Sequence, residues 1–366
     1  MSYLRHVEHQ LAEIHAHHRY RVVPSHHPSG VVDFSTNDYL ALATDPQVLQ
    51  ALKNATRVGS GGARLLGGAS REHSLLEEEL ATWLGRERAL LFTSGYHAAL
   101  GVIPALGRCV ETIYSDALNH ASLIDGVRFS HTARTVYEHA HLPPADKRNG
   151  SALIVTESIF SMDGDVIDLR AILDGMRDND VLLVDEAHAL GVTGPEGAGL
   201  ARGLDDPRVV VVGTLSKSFG ALGGFVAGPA RLIELLINTA RTFIFDTALP
   251  PAVALAARVA LVRMRNGDDR RARLHENVAR LRAGLRSLSL PAIDDPSPIV
   301  PVIVGDEERA MHLSAQLLEK KVFAPAVRPP TVPAGTSRLR FSLRSDHTSD
   351  QIDLALRTIT QCIATS

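Results

Sequence analysis

Cysteine is nearly absent. Cys109 and Cys362 are the only two in 366 residues, and neither has a CxxC partner. That excludes a disulfide framework and a zinc ribbon. Aromatic residues are also scarce, at 5% with a single tryptophan. An aliphatic chain of this kind suits an α/β protein with a Val/Ala/Leu-rich parallel sheet. Charge of one sign is missing too: the formal net charge is −3, so no global field invites nucleic acid or an anionic membrane. No apolar run approaches the ~18 residues of a spanning helix. The N-terminus has charges and histidines where a signal peptide has an apolar segment. A soluble cytoplasmic protein is expected. Its length allows two domains, or one large domain with an appendage.

Histidine is abundant. Seven of the 17 lie in the first 27 residues: His6, His9, His15, His17, His18, His26 and His27. A metal site from His6 with His9, or His15 with His18, lacks accompanying Cys, Asp or Glu in a ligand spacing. No metal is expected. Leu4, Val7, Leu11 and Ile14 recur at helical spacing and predict a leading helix over 4–19. A loop over 24–30 follows, then a short strand at 31–34 and a helix from Pro46 to about 58.

The glycine loop at 59–68 resembles a dinucleotide fingerprint but fails it. Arg64 stands where GxGxxG needs its third glycine, and the loop follows a helix instead of a strand. A helix is expected over 74–84. Seven strand-like runs come next, at 89–93, 111–114, 133–137, 152–156, 181–184, 209–212 and 224–227. Most are separated by enough chain for a crossover helix. The pattern predicts a seven-stranded, mainly parallel sheet with helices on both faces. Past Pro250 the texture changes: a long helix or two over 251–287 broken near Asn266-Gly267, then strand, helix, Pro-rich loop, strand and helix. This reads as a small C-terminal α+β domain. The expected division is an N-terminal helix and arm (1–45), a large domain (46–248), and a linker helix with the small domain (249–366).

In such sheets ligands bind beyond the carboxyl ends of the strands. Four of those ends carry chemistry. Thr93-Ser94-Gly95-Tyr96-His97 heads a helix, where free N–H groups cradle phosphate. Glu157 and Ser161 follow the fourth strand, and Asp185-Glu186-Ala187-His188 follow the fifth. Lys217 follows the four-valine run 209–212; a partly desolvated amine there has a lowered pKa and is nucleophilic. An amine, an acid, an imidazole and a phosphate cradle are what pyridoxal phosphate requires: the lysine holds its aldehyde as a Schiff base and the carboxylate keeps its ring nitrogen protonated. The DEAH string also occurs in helicases, but no Gly-Lys dipeptide supplies the GxxxxGK(S/T) phosphate loop. GxSxG is likewise missing, which leaves a serine hydrolase without its elbow.

Eight segments stand in the order seen in α-oxoamine synthases, which are fold-type I pyridoxal phosphate enzymes. They are Asn37-Asp38-Tyr39-Leu40, residues 59–62, Ser94-Gly95-Tyr96, Asn119-His120-Ala121-Ser122, ESIFSMDG at 157–164, residues 185–188, residues 214–220 and RPPTVPAGTSRLR at 328–340. The resemblance spans about residues 31 to 345. It implies that Lys217 forms the Schiff base and later acts as acid and base, that Asp185 pairs with the pyridine nitrogen, and that His188 and Ser161 meet the ring hydroxyl oxygen. It implies that His120 stacks on the ring and assists catalysis. Gly95, Tyr96, Thr214 and Ser216 would hold the cofactor near its phosphate, and Thr247 would reach the phosphate of the neighbouring subunit in a homodimer. Arg340, assisted by Asn37, would take the substrate carboxylate. Thr331 would line the substrate site, and Arg19, preferred over Arg21, would contact substrate. The Arg-Pro-Pro loop is most similar to the member that joins L-alanine to pimeloyl-CoA or a pimeloyl carrier protein. The alternative is a sister enzyme joining glycine to acetyl- or succinyl-CoA. Two departures stand out: Ala41 and Ala189 occupy positions where the family usually has glycine.

Overall fold

The structure, a computed structural model, describes residues 2–17, 19–23, 29–293 and 295–364. His18, His26 and His27, and most of the expected 24–30 loop, lie outside the described residues.

All seven expected strands form one sheet. Their spatial order is Arg88–Phe92, Gly224–Gly228, Val209–Thr214, Val181–Asp185, Ala152–Glu157, Thr112–Asp116, Ala133–Tyr137. Gly224–Gly228 runs antiparallel to both neighbours, and every other pairing is parallel. The period of two in a strand divides the four valines between two cores. Val209 and Val211 pack on one face with Leu182, Val184 and Phe225. Val210 and Val212 pack on the other with Leu183, Val226 and Ile103. Burial on both faces is why these strands read as unbroken apolar runs.

The C-terminal part holds a three-stranded antiparallel sheet ordered Ala326–Val327, Ser337–Ser342, Ile299–Gly305. The helices Pro251–Arg265 and Asp268–Ser287 meet at the expected break, and the helices Glu307–Glu319 and Ser349–Ala364 belong to the same C-terminal part. Two short strands were not foreseen, Ala326–Val327 and Val322–Phe323. The latter pairs in parallel with Val32–Asp33, far away in sequence, a partnership no local pattern encodes. The leading helix is Tyr3–Ala16 and buries no residue.

Ala41 explains one departure from the family pattern. Its φ is 53°, a region costing a residue with a Cβ about 1 kcal/mol or more. Ala41→Gly relieves that strain against glycine's larger entropy loss. The expected net is a stabilisation of about 0.5 kcal/mol, seen as a higher urea midpoint. Ala189 is fully buried and not among the positive-φ residues, so nothing in its backbone demands glycine.

Candidate active site

The sheet register sets the site. Glu157 and Asp185 end adjacent parallel strands side by side, and Asp185 pairs across to Val212 on the next. The chain after Val209–Thr214 then turns through Lys217. Two acids and an amine thus converge at one sheet end.

Lys217 Nζ lies 2.7 Å from His188 Nε2. Burial lowers the Lys217 pKa to about 8, against the opposing pull of Asp185 and Glu157, and Arg340 adds to the lowering. About a tenth of the amine is therefore unprotonated at pH 7, far more than for an exposed lysine. Burial, reinforced by the cations Lys217 and Arg340, holds His188 well below the usual imidazole range, so His188 is neutral. Its Nδ1 lies 2.6 Å from the hydroxyl of Tyr39, which is fully buried. Asp185 accepts from the Ala187 N–H at 2.9 Å through Oδ1; among the described residues no hydrogen bond to its other oxygen is found.

Glu157 is pushed well above the carboxylate range, first by burial and then by Asp185. It accepts from the His120 N–H at 2.6 Å. His120 caps the helix Ala121–Phe129 and accepts from the Ser122 N–H. It sits on the open side of the site, in electrostatic reach of Asp185 and Lys217.

Arg340 lies on the buried strand Ser337–Ser342. It donates to the Ser161 carbonyl at 2.7 Å, to Ser342 Oγ at 2.7 Å and to Asn37 Oδ1 at 3.2 Å. No carboxylate pairs with it among the described residues. A buried guanidinium without a counter-ion is costly unless a ligand supplies one. Arg338, two residues back on the same face, is by contrast buried and paired with Asp163. Both arginines are thus buried, and they differ in partner.

At the other end of the site Ser94 caps the helix Gly95–Gly107, accepting from the His97 N–H at 3.1 Å. Thr214 Oγ1 and Ser216 Oγ lie 2.8 Å apart beside it. Gly224 lets the antiparallel strand pass this helix end, since a Cβ there would come within 2.4 Å of Gly95 N. Tyr96 donates to Asp125. Thr331 lines a cleft of about 280 Å³ with Asn119, Phe160, Met162, Asp163 and Pro330.

Two expected residues stand apart. Arg19 and Thr247 are exposed and make no hydrogen bond to the Lys217 cluster within one chain. Phe245, two residues from Thr247, is exposed as well. One important residue was given no role from sequence. Tyr39 belongs to a quoted motif, but its partner His188 is 149 positions away, and only folding reveals the contact.

The loop bearing Ser161 is clamped by His139. Its Nδ1 lies 3.0 Å from Asp116 and its Nε2 2.7 Å from Asp165. Hydrogen bonds to Asp116 and Asp165 raise its pKa to about 10. Stability from a raised imidazole is fully present below about pH 6.5 and is lost as pH rises through the folded value. His139→Gln should therefore cost about 2 kcal/mol at neutral pH, with the deficit shrinking toward pH 10. Urea denaturation at several pH values checks this; a constant deficit would contradict it.

The residues fit pyridoxal phosphate. An unpaired carboxylate oxygen, a partly buried free amine and a helix N-terminus are its three attachment points. Residues 29–359 match the family profile of aminotransferase class I and II. The 8-amino-7-oxononanoate synthase of Methylococcus capsulatus is 44% identical over 96% of this chain and 97% of the relative. That of Anaeromyxobacter dehalogenans is 46% identical over 88% of this chain and 84% of the relative. Among solved structures, 8-amino-7-oxononanoate synthase from Francisella tularensis superposes with a TM-score of 0.80 at 31% identity, over 92% of this chain and 99% of that one. Serine palmitoyltransferase from S. paucimobilis, with bound PLP–myriocin aldimine, gives a TM-score of 0.89 at 28% identity over 100% of this chain and 99% of that one. The chain therefore belongs to the aminotransferase class I and II family, on the branch of the 8-amino-7-oxononanoate synthases.

Proposed function

We propose that the chain is a pyridoxal phosphate-dependent acyltransferase of biotin biosynthesis. It condenses L-alanine with a pimeloyl thioester, on CoA or a carrier protein, giving 8-amino-7-oxononanoate, carbon dioxide and the free thiol. The observation that carries the reading is the partly buried Lys217 amine set against His188, beside Asp185 and the unpaired Arg340.

When bound, the cofactor supplies an aldehyde for the lysine and an electron-withdrawing ring for carbanion chemistry at the amino acid's α-carbon. Everything else falls to this chain. Asp185 offers its free oxygen to the ring nitrogen. His188 and Ser161 would hydrogen-bond the ring hydroxyl, and His120 would stack on the ring. Gly95, Tyr96, Thr214 and Ser216 hold the phosphate end. Arg340 and Asn37 orient the alanine carboxylate so that its α-hydrogen faces Lys217, which removes the proton at Nζ and returns one later. The cleft at Thr331 receives the acyl chain.

The functional unit is a homodimer, with Thr247 serving the partner's phosphate site and Arg19 reaching substrate from the N-terminal arm. Leu65, Leu66, Leu222 and Phe245 are large apolar side chains left exposed in the single chain, as the reading expects of residues covered by a partner. Sedimentation should give about twice the 39.4 kDa chain mass; a monomer at micromolar concentration would count against it. The chain is organised as arm (1–45), large domain (46–248) and linker with small domain (249–366). It works in the cytoplasm without nucleic acid. No helix among the described residues is long and apolar enough to cross a membrane.

Mass spectrometry of products from alanine and glycine with a panel of acyl thioesters tests the assignment. The expected product is 8-amino-7-oxononanoate from alanine and the pimeloyl ester. Turnover confined to glycine with acetyl- or succinyl-CoA would assign a sister activity instead.

A further inference from the structure

The Tyr39 hydroxyl stands between two parts of the site. On one side is His188 Nδ1 at 2.6 Å, with Lys217 beyond it. On the other is Asn37 Oδ1 at 3.1 Å, which also faces Arg340 Nη1 and Ser342 Oγ, each at 3.2 Å. The phenol is fully buried, and burial raises its pKa to about 12, so it keeps its proton. That single proton can be donated to only one acceptor at a time.

Counting lone pairs gives the resting arrangement. Asn37 Oδ1 has two lone pairs and three donors directed at it. Arg340 and Ser342 fill both, and the phenol proton goes to the closer acceptor, His188 Nδ1. The neutral imidazole then carries its own proton on Nε2 and presents it to Lys217, which favours the free amine. A carboxylate binding Arg340 draws Nη1 away from Asn37 and vacates one lone pair. The phenol proton can then turn to Asn37, and Tyr39 becomes an acceptor for Nδ1–H. His188 Nε2 becomes a bare lone pair facing Lys217, which favours the protonated amine.

We propose that Tyr39 is a positioning residue that couples occupancy of the Arg340–Asn37 carboxylate cradle to the proton affinity of Lys217 through the tautomer of His188. The coupling favours the free amine, ready to take up the cofactor's aldehyde, while the cradle is empty and makes it a better proton acceptor once a carboxylate fills the cradle. The other charged groups facing Lys217 are Asp185, Glu157 and Arg340, with His120 facing His188. They set the baseline, and Arg340 also acts on Lys217 directly by its charge, so a carboxylate bound there raises the amine's proton affinity by that route as well. The inference rests on the proposed function only for the cofactor and the carboxylate cradle.

The test needs no thioester and no turnover. The rate at which full-length, cofactor-free protein takes up pyridoxal phosphate is followed against pH, with and without saturating propionate, a carboxylate lacking an amine. The midpoint reports the free amine of Lys217, near the expected value of about 8. Propionate should raise it by about half a unit or more in the unaltered chain, in the direction a hydrogen-bond acceptor shifts an amine. Tyr39→Phe should cut that rise to the smaller part that comes from charge alone. Ser342→Ala opens a lone pair of Asn37 Oδ1 at rest, so it should raise the resting midpoint and leave a smaller rise. If Tyr39→Phe does not fold, Ser342→Ala decides alone. An equal propionate shift in the variants, or none in the unaltered chain, overturns the coupling. Failure to form 8-amino-7-oxononanoate with this coupling intact would instead overturn the substrate assignment.

Discussion

Lys217→Ala is expected to lower turnover by about 10⁴-fold or more, the scale seen when a covalent catalytic group is removed outright. No other lysine can take over. Lys217 alone follows the end of a strand flanked by those of Asp185 and Gly224, and its amine is held by His188 at 2.7 Å. The same substitution should remove the borohydride-stable attachment of pyridoxal phosphate, read as loss of the cofactor mass from the denatured chain. Asp185, His188 and the helix at Gly95 remain, so the variant should still bind the cofactor without a covalent bond. Two readouts thus separate chemistry from binding. Undiminished condensation of alanine with pimeloyl-CoA by Lys217→Ala would refute the proposed mechanism.

Arg340→Met should give the second large effect, on substrate and not on cofactor. Truncating one side of a buried charge pair typically costs 2–5 kcal/mol, so kcat/KM for alanine should fall by roughly 30-fold to several thousand-fold. Pyridoxal phosphate uptake should stay close to normal. The fold should tolerate the change, because an unpaired buried charge leaves the interior and an apolar side chain of similar length replaces it. Arg340→Lys keeps the charge but loses the planar fork and should recover only part of the activity. Steady-state kinetics with alanine, beside a thermal melt, measure both. A variant that melts normally and uses alanine as well as the unaltered chain would remove Arg340 from the cradle.

Much of the fold was legible because parallel strands buried on both faces write themselves as short apolar runs. The run 209–212 is the clearest: four valines with no polar alternation, split by the pleat between two cores. The break at Asn266-Gly267 was equally plain, since those residues end one helix and open the next. The pairing of Val32–Asp33 with Val322–Phe323 was not legible. Two-residue strands carry no period, and their partner is set by how the chain ends come together.

The site divides in the same way. Lys217, Asp185, His188, Gly95 and Arg340 were marked by lying at strand ends or in motifs whose order is local information. Arg340 was chosen through its motif, but alternation alone puts Arg338 on the same face of the strand; only the position of Asp163 shows that Arg338 is paired and Arg340 is left for a ligand. Tyr39 was invisible as a functional group for a related reason. A hydroxyl acquires its role from the acceptors on either side of it, and one of these, His188, stands 149 positions away in the chain. The chain's order of residues was enough for the sheet, the lysine and the acid, since apolar burial and strand-end placement depend on neighbours along the chain. Which proton faces which lone pair was decided only when distant loops packed, because hydrogen bonds a few ångströms long are set by tertiary contact.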